Sequence, residues 1–140
     1  MQNRSAAVSP NTSKITAAPE GRRKRVVVFS PDADLSRFLI LNLEDRFDIA
    51  RVHTLSEFEQ RIGDPAPDLV LVDLYTFAAD VGRQLDVVRR HAVAVPIIVL
   101  RAYVSLSPET DRAIEEMADH VFYKPVDVEL ITQAIEDRLK

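Results

Sequence analysis

The sequence contains no cysteine. That excludes disulfides, thiolate zinc sites, iron–sulfur clusters and thiol nucleophiles together. Glycine is scarce: only Gly21, Gly63 and Gly82. No glycine-rich loop follows the first apolar run, which argues against a dinucleotide fingerprint or a P-loop. Long apolar stretches are missing too. The longest, Ala92–Leu100, is nine residues and includes Pro96, whereas a spanning helix needs about 20. The first 20 residues hold no apolar core of the secretory kind. A cytoplasmic location without membrane insertion is the expectation. His53, His91 and His120 fall on different elements with no metal-ligand spacing. His91, at the end of a helix, reads as a partner for its dipole. No Ser–His–Asp set or working carboxylate pair can be assembled.

What is present is one domain's worth of chain: 140 residues, 46% hydrophobic and 29% charged. A body of this size buries roughly two thirds of its unfolded surface and needs no covalent staple. The net charge of −4 hides two parts. Residues 1–25 carry six basic side chains against Glu20, for +5, and residues 26–140 carry 12 basic and 21 acidic ones, for −9. Residues 1–23 are expected to form a disordered basic leader, rich in Ser, Ala, Thr, Asn and Pro. The folded domain is expected over 24–140. The leader lacks the aromatics that stacking on single strands wants, and the acidic body repels a phosphate backbone, so nucleic acid is not an expected partner.

Val26–Phe29 is a continuous β-branched run, the pattern of a strand buried on both faces. After the turn cluster Ser30–Asp34, a helix puts Leu35, Phe38, Leu39 and Leu43 on one stripe. Phe47–Val52 alternates, as an edge strand does. Thr54 and Glu57 make a capping-box signature for a helix that turns Leu55, Phe58 and Ile62 inward and stops at Gly63. Asp68–Asp73 is a buried strand ending in a carboxylate. The next helix turns Val81, Leu85 and Val88 inward. Pro96 introduces the strand Ile97–Leu100, and Ser107-Pro108 caps a helix burying Ala113, Ile114 and Met117. His120–Tyr123 is a fifth strand. Asp127 caps the last helix, with Val128, Ile131, Ala134, Ile135 and Leu139 inward.

Strands separated by helices pair in parallel through right-handed crossovers. The expected fold is α/β: a doubly wound five-stranded parallel sheet in the order 2-1-3-4-5, helices on both faces, of flavodoxin-like type. In such a sheet the site lies outside the C-terminal strand ends at the switch point. That convergence brings Ser30–Asp34, Asp73, Arg101 and Lys124 together.

Val26-Val27-Val28-Phe29, Pro67 through Leu74 with Asp73 at the strand end, Val95 through Leu100, and Lys124-Pro125 resemble the receiver domain of two-component response regulators, the CheY-like superfamily, over about residues 24–140. The resemblance implies that an acid pair after the first strand helps hold Mg²⁺. It implies that the Asp ending the third strand accepts a phosphoryl group, and that a Thr or Ser after the fourth hydrogen-bonds it. A fifth-strand aromatic then switches rotamer, and the Lys pairs with the phosphate. Charge on the transferring oxygens must be neutralised for such a step.

Asp73 and Lys124 match this pattern. The acid pair falls on Ser30 and Pro31, the Thr/Ser position on Arg101 and the aromatic switch position on Val121. The chain is therefore identified as a degenerate, atypical member. Mg²⁺ takes hard oxygens, usually one or two carboxylates plus waters, so no metal or cofactor is expected; Asp32 with Asp73 are the candidates if one binds. Asp32 otherwise bonds its own backbone. Asp73 is either a phosphoacceptor or a structural partner of Lys124. Arg101 either bridges Asp73, making a cluster of charge +1 with Lys124, or swings out to solvent. Val121, Tyr103 and Tyr123 read as packing residues.

The expected function is a stand-alone receiver-like signalling module, not an enzyme, ending with its last helix at Lys140 and acting by protein–protein contact. One alternative is a functional phosphorelay regulator, phosphorylated on Asp73 by a histidine kinase, with Mg²⁺ and with Asp32 or Asp34 replacing the missing acids. Another is a small-anion or nucleotide-binding module. The resemblance implies a protein partner (histidine kinase, effector or other signalling protein) on the face of helix 4, strand 5 and helix 5; a homodimer is a further option. Glu109, Asp111, Arg112, Glu115, Glu116, Asp119, Asp127, Glu129, Asp137 and Arg138 make that face acidic and call for a basic partner patch.

Overall fold

The computed structural model describes residues 23–63, 65–75, 78–102 and 106–140. The leader expected over 1–23 lies almost wholly outside the described residues, as does Tyr103. Ten elements alternate: β1 Arg25–Phe29, α1 Ala33–Leu43, β2 Asp48–Val52, α2 Leu55–Arg61, β3 Leu69–Asp73, α3 Ala78–His91, β4 Ile97–Arg101, α4 Pro108–Met117, β5 His120–Tyr123 and α5 Val128–Arg138. The sheet is parallel, with order β2-β1-β3-β4-β5. No helix among the described residues is long and apolar enough to cross a membrane.

The period of two along each strand builds two cores. Val27, Phe29, Val70, Val72 and Val99 face α2, α3 and α4, against Phe58, Val81, Val88 and Ile114. Val26, Val28, Leu69, Leu71, Ile98 and Leu100 face α1 and α5, against Leu39, Leu43, Ile131 and Ile135. All five residues of β3 and of β4 are buried, which is why those segments read as unbroken apolar runs. Each such side chain contributes about 1.5–3 kcal/mol on leaving water.

The helix starts follow their caps. Thr54 and Glu57 close a capping box, Ser107 accepts from Thr110 N ahead of Pro108, and Asp127 accepts from Glu129 N and Leu130 N. The inward stripe of α1 differs from the sequence pattern. Ser36, Leu39 and Leu43 are buried, while Phe38 is 53% exposed. At 100° per residue, Phe38 points nearly opposite Ser36, so the small hydroxyl lies under the helix and the ring faces water. Between α3 and β4 the chain turns through Ala94, which holds a left-handed φ of 63°.

Candidate functional site

The register aligns the strand ends. Phe29 pairs with Val52 and Val72, Asp73 with Leu100, and Arg101 with Tyr123. Ser30 and Lys124 follow β1 and β5 directly, so the parallel sheet carries both to Asp73.

Asp73 is 1% exposed, and both of its carboxylate oxygens are engaged. Lys124 Nζ stands 2.6 Å from Oδ1. The ammonium lies off the hydrogen-bond line, since Oδ1 takes no hydrogen bond by geometry, and the contact is an ion pair. Ser30, fully buried, donates its Oγ–H to Oδ2 at 2.8 Å. The hydroxyl has one proton, so its contact with Asp32 O at 3.2 Å is secondary. It accepts in turn from Asp32 N–H at 3.1 Å.

The other expected site residues are placed differently. Asp32 caps α1: its Oδ1 accepts from the Asp34 and Leu35 amides at 3.0 and 3.1 Å. Asp34 is exposed in the first turn. Pro31 offers no ligand. A buried carboxylate paired with an ammonium, a serine hydroxyl already donated to that carboxylate and a proline side chain are a poor fit to the donors Mg²⁺ takes. Among the described residues no group of three His, Asp or Glu converges as a metal site.

Arg101 corrects both sequence readings. It is neither solvent-facing nor the ion-pair partner of Asp73. It is 6% exposed, its NH2 pairs with Asp111 Oδ1 on α4 at 2.9 Å, and its guanidinium lies 5.6 Å over the Tyr123 ring. The +1 cluster therefore does not form: Asp73 with Lys124, and Arg101 with Asp111, are two separate neutral pairs. Val121 is partly buried, packed on the α3–α4 core, and Tyr123 is half-exposed rather than interior. His91 ends α3 and also meets Glu59 of α2 at 3.2 Å.

Two supports were not legible in advance. Gln84 on α3 is fully buried; its Nε2 donates to Asp73 O at 3.0 Å and its Oε1 accepts from Tyr75 N–H at 2.9 Å. Its one sequence signal is a polar residue inside the 81, 85, 88 stripe. His53 is the second. Arg51 Nε donates to His53 Nε2 at 3.0 Å. An arginine Nε only donates, so Nε2 accepts and the proton rests on Nδ1, which donates to Ser30 O at 3.0 Å. The His53 amide, with that of Thr54, also holds the Glu57 carboxylate below its ordinary pKa.

No protein-family model and no curated protein sequence matches the chain. Many solved structures do. The signal receiver domain of a LuxO repressor protein from Vibrio parahaemolyticus is 21% identical with a TM-score of 0.69, over 84% of this chain and 91% of that one. A CheY-like response regulator receiver domain from Methanospirillum hungatei is 19% identical with a TM-score of 0.72, over 84% and 94%. The non-phosphorylated HemR receiver domain from Leptospira biflexa is 23% identical with a TM-score of 0.70, over 84% and 95%. The fold of this chain is that of the response-regulator receiver domains.

Proposed function

We propose that the chain is a receiver-like signalling module that works by protein–protein contact, without Mg²⁺-dependent phosphorylation of Asp73 and without a resident cofactor. The observation that carries this reading is the occupied Asp73 carboxylate, held by Lys124 and Ser30. To accept a phosphoryl group, Asp73 must free one oxygen for attack on phosphorus and gain a cation beside it. The positions that would hold the cation are a hydroxyl already spent on Asp73 and a proline. Asp32 is a weaker substitute than an acid pair, because its Oδ1 serves two backbone amides and leaves one oxygen for a cation. The test is Mg²⁺ with beryllofluoride, followed at the Asp73 amide by NMR. The amide stays in place under this reading; a Mg²⁺-dependent shift there overturns it in favour of the phosphorelay.

The contact surface we assign is α4–β5–α5. Part of its acidity is spent internally, since Asp111 holds Arg101, Asp119 holds Arg138, and Asp127 caps α5. Glu109 and Glu115 remain, exposed, beside the exposed apolar Tyr123 and Leu130, while Glu116 lines the groove between α3 and α4 and Glu129 that between α1 and α5. A partner with a basic rim and an apolar centre is complementary. Reversing Glu109 and Glu115 to lysine should abolish capture of such a partner without changing the fold.

A further inference from the structure

At the C-terminal mouth of β1, β2 and β3 lies a cavity of about 570 Å³ whose lining includes Pro31, Leu55, Ser56, Tyr75, Asp80 and Arg83. It takes a wall from the loop after each of these strands, at the place where the strand order turns from β1 toward β2 on one side and β3 on the other. Open α/β sheets bind ligands outside the strand ends at such a point. The volume lies within the range of about 300–1,000 Å³ found for small-molecule sites.

The lining is two-sided. Pro31, Leu55 and the Tyr75 ring are apolar. Asp80 and Arg83 are three residues apart on α3, which sets a carboxylate and a guanidinium about 5–6 Å apart at Cβ. Among the described residues neither forms an ion pair, with the other or elsewhere. Burial and the Asp80 charge push the Tyr75 hydroxyl above its ordinary pKa, with Arg83 acting the other way, so the phenol stands within electrostatic reach of both.

We propose that this cavity binds a small zwitterion with an apolar body, of the α-amino-acid class. Arg83 forks the ligand carboxylate through two parallel hydrogen bonds. Asp80 takes the ammonium, and Pro31, Leu55 and the Tyr75 ring cover the side chain. The two charges of the site cancel, so a net-neutral ligand leaves neither unbalanced. The cavity also joins the Asp73 pair. The amide of Tyr75 donates to Gln84 Oε1, and Gln84 Nε2 donates to the Asp73 carbonyl. A ligand seated on Tyr75 acts on a segment whose other end carries Asp73, and is the input that replaces phosphorylation. That input role rests on the reading of Asp73 as unphosphorylated; the binding itself does not.

The test titrates the full chain with L-phenylalanine and follows its amide spectrum. N-acetylphenylalanine and phenylalanine amide, each lacking one charge, serve as controls. The expected result is saturable shifts at Leu55, Ser56, Tyr75 and Arg83, reaching the Gln84 side chain and the Asp73 amide, with either control weaker by about tenfold or more. Asp80→Asn and Arg83→Gln, both exposed on α3, should lose the response with an unchanged melting temperature. Absence of saturable shifts, or an equal response to all three compounds, overturns the zwitterion site. Shifts that stay in the cavity and never reach Gln84 and Asp73 overturn the input role. Mg²⁺-dependent phosphorylation of Asp73 alongside intact phenylalanine binding removes the input role and the function proposed above, and leaves the site standing.

Discussion

Ser30 donates its hydroxyl to Asp73 Oδ2 across 2.8 Å, from a position 43 residues earlier in the chain. The bond places an uncharged donor where the receiver pattern puts an acid, and it satisfies half of a buried carboxylate. Ser30→Ala should cost about 1–3 kcal/mol, the usual result of stranding a buried acceptor. Urea unfolding measures it; a loss within error of zero would mean that water or Lys124 takes over Oδ2.

Replacing Ser30 and Pro31 with aspartate tests the missing-acid argument from the opposite side. The double variant sets like charges against Asp73, which destabilises the metal-free protein. Mg²⁺ should then raise its melting temperature and leave that of the wild type unchanged. An equal rise in the wild type would show that Asp73 already recruits the metal.

Lys124→Met leaves the Asp73 charge with Ser30 alone. The expected loss is about 2 kcal/mol, below the roughly 3–5 of fully buried pairs because Lys124 keeps part of its surface in water. Adding Asp73→Asn should recover most of it. A double-mutant cycle measures the coupling, and an additive result removes the ion pair as a source of stability.

Much of this was legible in the sequence, and the rest fails for identifiable reasons. Strand positions followed from apolar, largely β-branched runs buried on both faces, and the helix starts at Thr54, Ser107 and Asp127 from cap chemistry that acts within four residues. Both are local. The direction of Arg101 is not. A long cation at a strand end can reach several carboxylates, and only the packed position of α4 selects Asp111 over Asp73. Phe38 and Ser36 exchanged places because offsets of three, four and eight fit more than one helix rotation. Gln84 was hidden because a polar residue among apolar ones has no local signature until Asp73 O and Tyr75 N are in reach.

Ala94 occupies the left-handed region at φ 63°, exposed in the α3–β4 turn. An alanine there costs about 1–2 kcal/mol, and glycine adds back about 0.4–1 through the entropy of the unfolded chain. Ala94→Gly should therefore stabilise by up to about 1.5 kcal/mol, and Ala94→Val should destabilise by more than about 1. Thermal unfolding of the two variants checks the sign.

The Glu57 capping box predicts a pH dependence. Backbone donation from His53, with a smaller contribution from Thr54, lowers the folded-state pKa of Glu57 beneath its ordinary 4.5. The stability it contributes is fully present above the unfolded value and is lost as pH falls through the folded one. Stability curves of wild type and Glu57→Gln should converge as the solution is acidified from neutrality through the carboxylate range. A gap that stays constant over that range would remove the ionised carboxylate as its source.

The two outer strands carry one more consequence. β2 sets Asp48 and Arg51 on an exposed rim, and β5 is four residues long. A fibril template needs a long, flat, uncharged edge. Neither margin of this sheet supplies one, so crowding alone should not zip copies of the sheet together edge to edge.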